Sequence, residues 1–254
     1  MRSGLLRLSL LVVLLVNGSA CHISPPQATL PMNTSPEGFV ALFNGEDLDG
    51  WYGHGTKDPQ VLWDMTPEAL AAHQIKTRRD LHEHWRVENG ELVNDGQGLY
   101  ATTNRDYGDF ELLVDYKTVA KADSGIYLRG VPQVQIWDST EAGGKWHNGA
   151  NFGSGGLWNN SANAPGKNPT KLMDKPFGQW NRFRIIMVGS RVTVWLNGER
   201  IVDHAVMENY YHRKRPIYPR GPIQLQTHGG EIRWRNIFIR EIGPEAANRI
   251  LRQG

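Results

Sequence analysis

The residue types and spacings best suited to chemistry fall in one stretch, Asp123-Ser-Gly-Ile-Tyr-Leu-Arg-Gly-Val-Pro-Gln-Val-Gln-Ile-Trp-Asp138. It reads as two strands joined at a Gly130/Pro132 corner. Ile126 and Leu128 alternate with Tyr127 and Arg129; Val134 and Ile136 then alternate with Gln133, Gln135 and Trp137. Strand side chains point to opposite faces in turn. One face is therefore aliphatic, while the other gathers a guanidinium, two amides, a phenol and an indole, with Asp138 just beyond. A flat aromatic beside planar hydrogen-bonding groups suits a sugar ring, whose C–H faces stack and whose hydroxyls need directional partners. The structural alternative is that Arg129 pairs with Asp138 and the amides form a ladder. Further on, Gly221-Pro-Ile-Gln-Leu-Gln-Thr-His-Gly-Gly230 ends on His228. Its imidazole titrates near neutral pH, and the two glycines after it let a ligand approach the backbone.

The elements that must position these groups are short strands broken by turn chemistry. Trp85-Arg-Val-Glu, Asn89-Gly90 and Glu91-Leu-Val spell a hairpin with a type I′ turn. Phe110 to Val119, Trp180 to Val188, Arg191 to Leu196, Arg200 to Asp203 and Glu231 to Arg240 continue the series. On the first of these, Asp115 either joins the polar face or faces solvent. Thr66-Pro67-Glu68 opens a run of good helix formers to Leu81, with an N-cap followed by Pro, so residues 53–84 form a partly helical insertion. Residues 139–179 are rich in Gly, Asn and Pro and carry Trp146 and Trp158; a loop of that length in a compact domain is usually functional or disordered. There is no 20–50-residue repeat and no βαβ rhythm, so the class is all-β, an antiparallel β-sandwich.

Arg2 and Arg7, the apolar run Leu8–Val16 and the small residues Gly18-Ser-Ala20 have the layout of a cleavable export signal over residues 1–20. The only cysteine, Cys21, follows directly. A lone cysteine at a processing point suits the acylated first residue of a bacterial lipoprotein, although Gly18 stands where such signals usually carry Leu; ordinary cleavage after Ala20 is the alternative. Residues 21–36, with four prolines, form a tether, and 243–254 a C-terminal tail. The expected location is the periplasm or cell envelope. Losing residues 1–20 leaves 234 of the 254 residues and balances 26 basic against 26 acidic side chains. That balance argues against nucleic acid as a partner, which needs a basic footprint.

Asp123 to Arg129, Gln133 to Asp138, Gly155-Gly-Leu-Trp158, Trp180-Asn181, Val194-Trp-Leu-Asn-Gly198 and Gly221 to Gly230 together resemble the 3-keto-disaccharide hydrolase domain family, over about residues 37–242. The resemblance implies a concanavalin A-like jelly-roll β-sandwich with a carbohydrate groove on its concave sheet and one helical insertion. It also implies a 3-keto-glycoside substrate and an upstream sugar 3-oxidoreductase that makes the ketone. A second resemblance concerns mechanism: laminarinase-like glycosidases carry Glu-x-Asp-x-x-Glu on a groove strand, where this chain has Gln133-x-Gln135-x-x-Asp138. An amide cannot be a retaining nucleophile.

A 3-keto sugar offers another route. Its C2 proton is acidic, so a base can remove it, the enolate can expel the C1 aglycone and water can add. This needs a base, a donor for the enolate oxygen and a proton for the leaving group. His228 is the leading base or acid. Asp138 and Glu231 are alternative proton carriers, or salt-bridge partners of Arg233 or Arg235. Arg129 is the enolate clamp, or a buried ion pair with Asp115 or Asp138. Gln133, Gln135 and Asn159 hold hydroxyls, and Trp137 and Trp158 stack on rings or belong to the core. Asp138, His228 and Glu231 could also chelate a divalent metal; no other cofactor is expected. The competing reading is a non-catalytic carbohydrate-binding module.

Overall fold

Alternating apolar residues pull the chain into two sheets that bury one face each. The computed structural model describes residues 30–252; the export signal, Cys21 and the first part of the tether lie outside the described residues. In chain order the elements are β1 (Val40–Ala41), β2 (Trp51–His54), α1 (Gln60–Trp63), α2 (Pro67–His84), β3 (Trp85–Glu88), β4 (Glu91–Asn94), β5 (Tyr100–Thr103) and β6 (Phe110–Thr118). They continue with β7 (Asp123–Leu128), β8 (Val131–Trp137), β9 (Asn181–Val188), β10 (Arg191–Leu196), β11 (Glu199–Val206), β12 (Gln224–Leu225), β13 (Ile232–Glu241) and α3 (Pro244–Leu251). An eight-stranded sheet runs β11-β10-β9-β6-β13-β4-β3, with β1 on β13; a five-stranded sheet runs β2-β5-β12-β7-β8. The pairings are antiparallel. This is the concanavalin A-like sandwich that the sequence predicts.

Phe110, Leu112, Val114 and Tyr116 of β6 meet Ile126 and Leu128 of β7 and Val134 and Ile136 of β8 in one core that also holds Trp51, Trp85 and Trp234. Burying each such side chain is worth roughly 1.5–3 kcal/mol, which fixes the register of every strand whose apolar residues alternate. The predicted hairpin forms between β3 and β4, with Asn89 at φ 52° and Gly90 at φ 76°, the left-handed pair that a type I′ turn requires.

Both edges of the five-stranded sheet are covered, as exposed edges generally are. At β8, Gly155 N–H donates to Gln135 O and Gln135 N–H to Gly156 O, so the Gly-rich segment acts as an extra strand. At β2, helix α2 crosses the edge. Its Thr66 cap accepts from Ala69 N–H, Leu81 enters the core, and Thr77 O lies 2.9 Å from where a Cβ on Gly53 would stand. The helical part of the predicted insertion thus begins after His54, which is the last residue of β2. The C-terminal tail is partly helical, with Ala247 of α3 and Ile250 packed against Ile186 and Val188 on the outside of the larger sheet. Among the described residues no helix is long and apolar enough to cross a membrane.

Candidate functional site

Ile126 of β7 pairs with Leu225, and both are core residues, so their neighbours Gly125, Tyr127, Gln224 and Gln226 face outward. The same parity turns Asp123 of β7, Gln133, Gln135 and Trp137 of β8, Tyr100 and Thr102 of β5, and Tyr52 and His54 of β2 to that face. These outward residues are nonetheless buried. A polar sheet face that is not wet is the central feature of the molecule.

Asp123 sets the orientation of the amides. Its carboxylate offers only acceptors, so Gln135 turns its Nε2 toward it at 2.8 Å, and the same Nε2 meets the Ser124 and Ile136 carbonyls at 3.0 Å each. Gln135 Oε1 then accepts from Gln133 Nε2 at 2.6 Å. That leaves Gln133 Oε1 buried and without a protein partner. A second relay does the same from the opposite side. Thr102 Oγ1 donates its one hydrogen to Tyr100 O, so it must accept from Gln224 Nε2 at 3.0 Å. Gln224 Oε1 is left free, as is Gln226 Oε1. An unmet buried acceptor costs about 1–3 kcal/mol, and three on one face call for a ligand or water that donates hydrogen bonds. Gly125 lies between the relays. A Cβ there would stand 2.4 Å from Gln133 Oε1, so glycine leaves the room that the Gln133 amide occupies.

At one end of this floor stands a charged group. Lys145 Nζ pairs with Asp123 Oδ2, and His228 Nε2 lies 3.9 Å from the same oxygen. His228 is 59% exposed on its side chain while Asp123 is 11%, so the imidazole is the group at the mouth. The other end is phenolic and roofed. Thr56 Oγ1 lies 2.7 Å from Tyr100 Oη and 3.2 Å from Tyr127 Oη, which brings the start of the helical segment over the floor. Burial, and then Tyr100 beside it, pushes the Tyr127 hydroxyl well up. Asp58 takes a hydrogen bond from Tyr218 Oη at 2.7 Å and meets His212 Nε2 at 2.9 Å; burial and that hydrogen bond push Tyr218 up to about 12. Tyr211 Oη is buried without a partner.

The third side is the Gly-rich loop. Trp158 meets Trp137 edge-on at 6.1 Å, and Lys167 Nζ stands 5.4 Å from its ring centre. Trp137 is buried, with its indole N–H on Gly153 O at 2.9 Å. It backs Trp158, which is the more exposed of the two. Asn159 Oδ1 is a further buried acceptor without a partner.

Of the residues singled out from sequence, His228, Gln133, Gln135, Trp137, Trp158 and Asn159 border this region. Four others do not serve there. Arg129 is the first residue of the β7–β8 turn, at φ 55° with Gly130 at φ 72°. The turn ends the strand alternation and drives the guanidinium inward, 1% exposed, onto Gly108 O, Gly189 O, Tyr218 O and Asp109 Oδ1. It is no enolate clamp, and its ion-pair partner is Asp109. Asp138 caps the turn after β8, accepting from Lys121 N, Thr140 N and Thr140 Oγ1. Burial alone would raise its pKa, but these hydrogen bonds hold it below the usual carboxylate range, and they take three of its roughly four acceptor sites. Glu231 pairs with Arg233 at 2.7 Å and Arg86 at 3.2 Å. Asp115 pairs with Arg182 at 2.6 Å. Both lie on the outer face of the other sheet. Asp138, His228 and Glu231 therefore do not converge on a metal ion, and among the described residues no three His, Cys, Asp or Glu side chains do. Sequence reasoning missed Asp123, Lys145 and Gln224. Asp123 was within reach, because it shares parity with Gly125 and Tyr127.

The pattern of the 3-keto-alpha-glucoside-1,2-lyase-like domain matches residues 38–240. A 3-keto-disaccharide hydrolase of Bacteroides thetaiotaomicron is 20% identical over 262 residues, spanning 84% of this chain and 81% of that protein. A candidate glycosyl hydrolase of Parabacteroides distasonis superposes with a TM-score of 0.56 at 21% identity, over 84% of this chain and 100% of the other; this likeness shows the fold. A second protein of that description from the same organism aligns over 63% of this chain and 91% of its own, at 26% identity and a TM-score of 0.49.

Proposed function

The chain belongs to the 3-keto-alpha-glucoside-1,2-lyase-like domain family, and from that premise we propose that it is a carbohydrate-active enzyme that cleaves 3-keto-glucosides or 3-keto-disaccharides by elimination and hydration. The observation that carries this reading is the pair of locked, unpaired carbonyls of Gln133 and Gln224 on the floor whose one end holds the Asp123–Lys145–His228 group. Acceptors fixed in a buried floor select a ligand that presents hydroxyl donors.

Three groups then divide the chemistry. His228 takes the C2 proton, made acidic by the C3 ketone, and the neighbouring carboxylate of Asp123 favours the imidazolium that forms. Lys145, already held by Asp123, supplies positive charge near the enolate oxygen. As the C1–O bond breaks and the C1–C2 double bond forms, the imidazolium returns its proton to the departing oxygen; water then adds across the double bond. A double displacement on β8 has no support, since the floor carries amides where retention needs two carboxyl groups about 5–5.5 Å apart. Export, attachment through an acylated Cys21 and supply of substrate by a sugar 3-oxidoreductase belong to the same proposal, on the sequence grounds given above.

The second reading, a carbohydrate-binding module, is favoured by the 3.9 Å gap between His228 and Asp123, which is longer than a hydrogen bond. The test is aglycone release from a nitrophenyl 3-keto-glucoside and from its unoxidised parent. Release from the ketone alone, lost in His228→Ala, supports the enzyme. Binding of both without release supports the module.

A further inference from the structure

We propose that His54 and His73 form a binding site for a divalent transition-metal ion, of the zinc or cobalt class, between the edge strand β2 and helix α2. This inference does not depend on the glycoside-cleavage reading. His54 faces outward on β2, and His73 reaches it from the half of α2 that lies on the floor side of the edge. Both Nε2 atoms are buried without a protein partner, and His54 is only 4% exposed. The ring centroids are 5.9 Å apart with planes at 80°. A Zn–N distance of about 2.0–2.1 Å puts a metal about 3 Å from each ring centre, so two imidazoles sharing one ion stand about 5–6 Å apart.

The surroundings suit ligation by neutral imidazoles. Burial, followed by His73 and Lys57, pushes His54 down to about 4, and burial with Lys57 and Lys76 lowers His73. Both rings are therefore unprotonated at neutral pH and keep a lone pair for a metal. Tyr52 meets His73 edge-on at 6.1 Å and limits the turning of that ring. Three other imidazoles are already engaged: His84 and His204 hold Asp95 and Asp203 through Nδ1, and His212 meets Asp58. The chain supplies two ligands only, since no third His, Cys, Asp or Glu joins them among the described residues, and Lys57 opposes added positive charge. The remaining positions fall to water or to a substrate oxygen.

Titrating the metal-free full chain with zinc chloride by calorimetry, while following the imidazole ¹⁵N shifts, tests the proposal. It expects one ion per chain, with the shifts at His54 and His73. It also expects at least a tenfold weaker affinity in both His54→Gln and His73→Gln, since even the loss of a group that only supports a ligand costs about 10–100-fold. His73→Gln lies on a half-buried helix face, so its unchanged thermal midpoint without metal separates ligation from folding. No binding at millimolar zinc would show that the two imidazoles hold no metal, and undiminished binding in either variant would place the metal elsewhere; either result overturns the proposal.

Discussion

The outer faces of the two sheets are built from the same strand alternation and solve opposite problems. On the eight-stranded sheet, carboxylates sit among arginines: Glu111 between Arg184 and Arg240, Asp115 between Arg182 and Arg235, and Glu91 and Glu231 on Arg233. Each charge has its partner within the protein, and the arginines reach water. On the five-stranded sheet the groups are amides, phenols, an imidazole, an indole, a threonine hydroxyl and one carboxylate, all buried, and most of the leftover hydrogen-bonding capacity is carbonyl: the acceptors of Gln133, Gln224 and Gln226, with His54 Nε2 at the edge. A face whose charges each have an opposite charge beside them needs nothing more. A face with locked, unmet acceptors is made for something that donates.

If that contrast is right, substitutions on the two faces separate cleanly. The largest effect is expected at the charged end of the floor, where His228→Ala and Asp123→Asn each lower kcat by about 10²–10⁴-fold, the usual worth of a positioned proton carrier, while Glu231→Gln leaves it within about twofold; steady-state aglycone release reads all three. Next comes Arg129, whose replacement by Met leaves Asp109 unpaired and four hydrogen bonds unmade. This should lower stability by about 3–5 kcal/mol in chemical denaturation, and turnover per folded molecule should hold.

A pH effect follows in size. The unfolded chain protonates His54 near 6.5, while the folded protein refuses the proton until about 4, so the unfolded state binds more protons in between. Stability of the metal-free protein therefore rises with pH across that window, and it falls by up to about 3 kcal/mol as pH drops through it. His54→Gln should flatten the slope. On the floor itself, Gln224→Met should weaken ligand binding by about tenfold, yet change stability by only about 1 kcal/mol or less, because it removes an unmet acceptor together with one hydrogen bond. Gly125→Ala should act like it, by displacing Gln133 Oε1. The smallest effect on function is expected for Asp115→Asn, which loses the two-oxygen hold on Arg182 and about 1–3 kcal/mol of stability with no change in KM.

The same contrast explains what the sequence could and could not convey. Alternation placed Gln133, Gln135, Val134 and Ile136 on their correct faces, and the Asn-Gly and Thr66-Pro67 signals located a hairpin and a helix start, because these depend on local geometry. Arg129 was misplaced because a positive-φ turn stops the alternation one residue before the arginine. Asp115 and Glu231 were misplaced for another reason: parity says which face of a strand a residue occupies, not to which sheet the strand belongs. Lys145, on a Gly-rich loop, and His73, on the crossing helix, reach their neighbours only through tertiary packing.

The most direct test is the crystal structure of the chain with a 3-keto-glucoside or an unreactive analogue bound. The account predicts a sugar ring over Gly125, with hydroxyls within hydrogen-bonding distance of Gln133 Oε1 and Gln224 Oε1 and C2 facing His228. A sugar seated on the arginine–carboxylate face, or one that leaves both amide carbonyls without a donor, would contradict it.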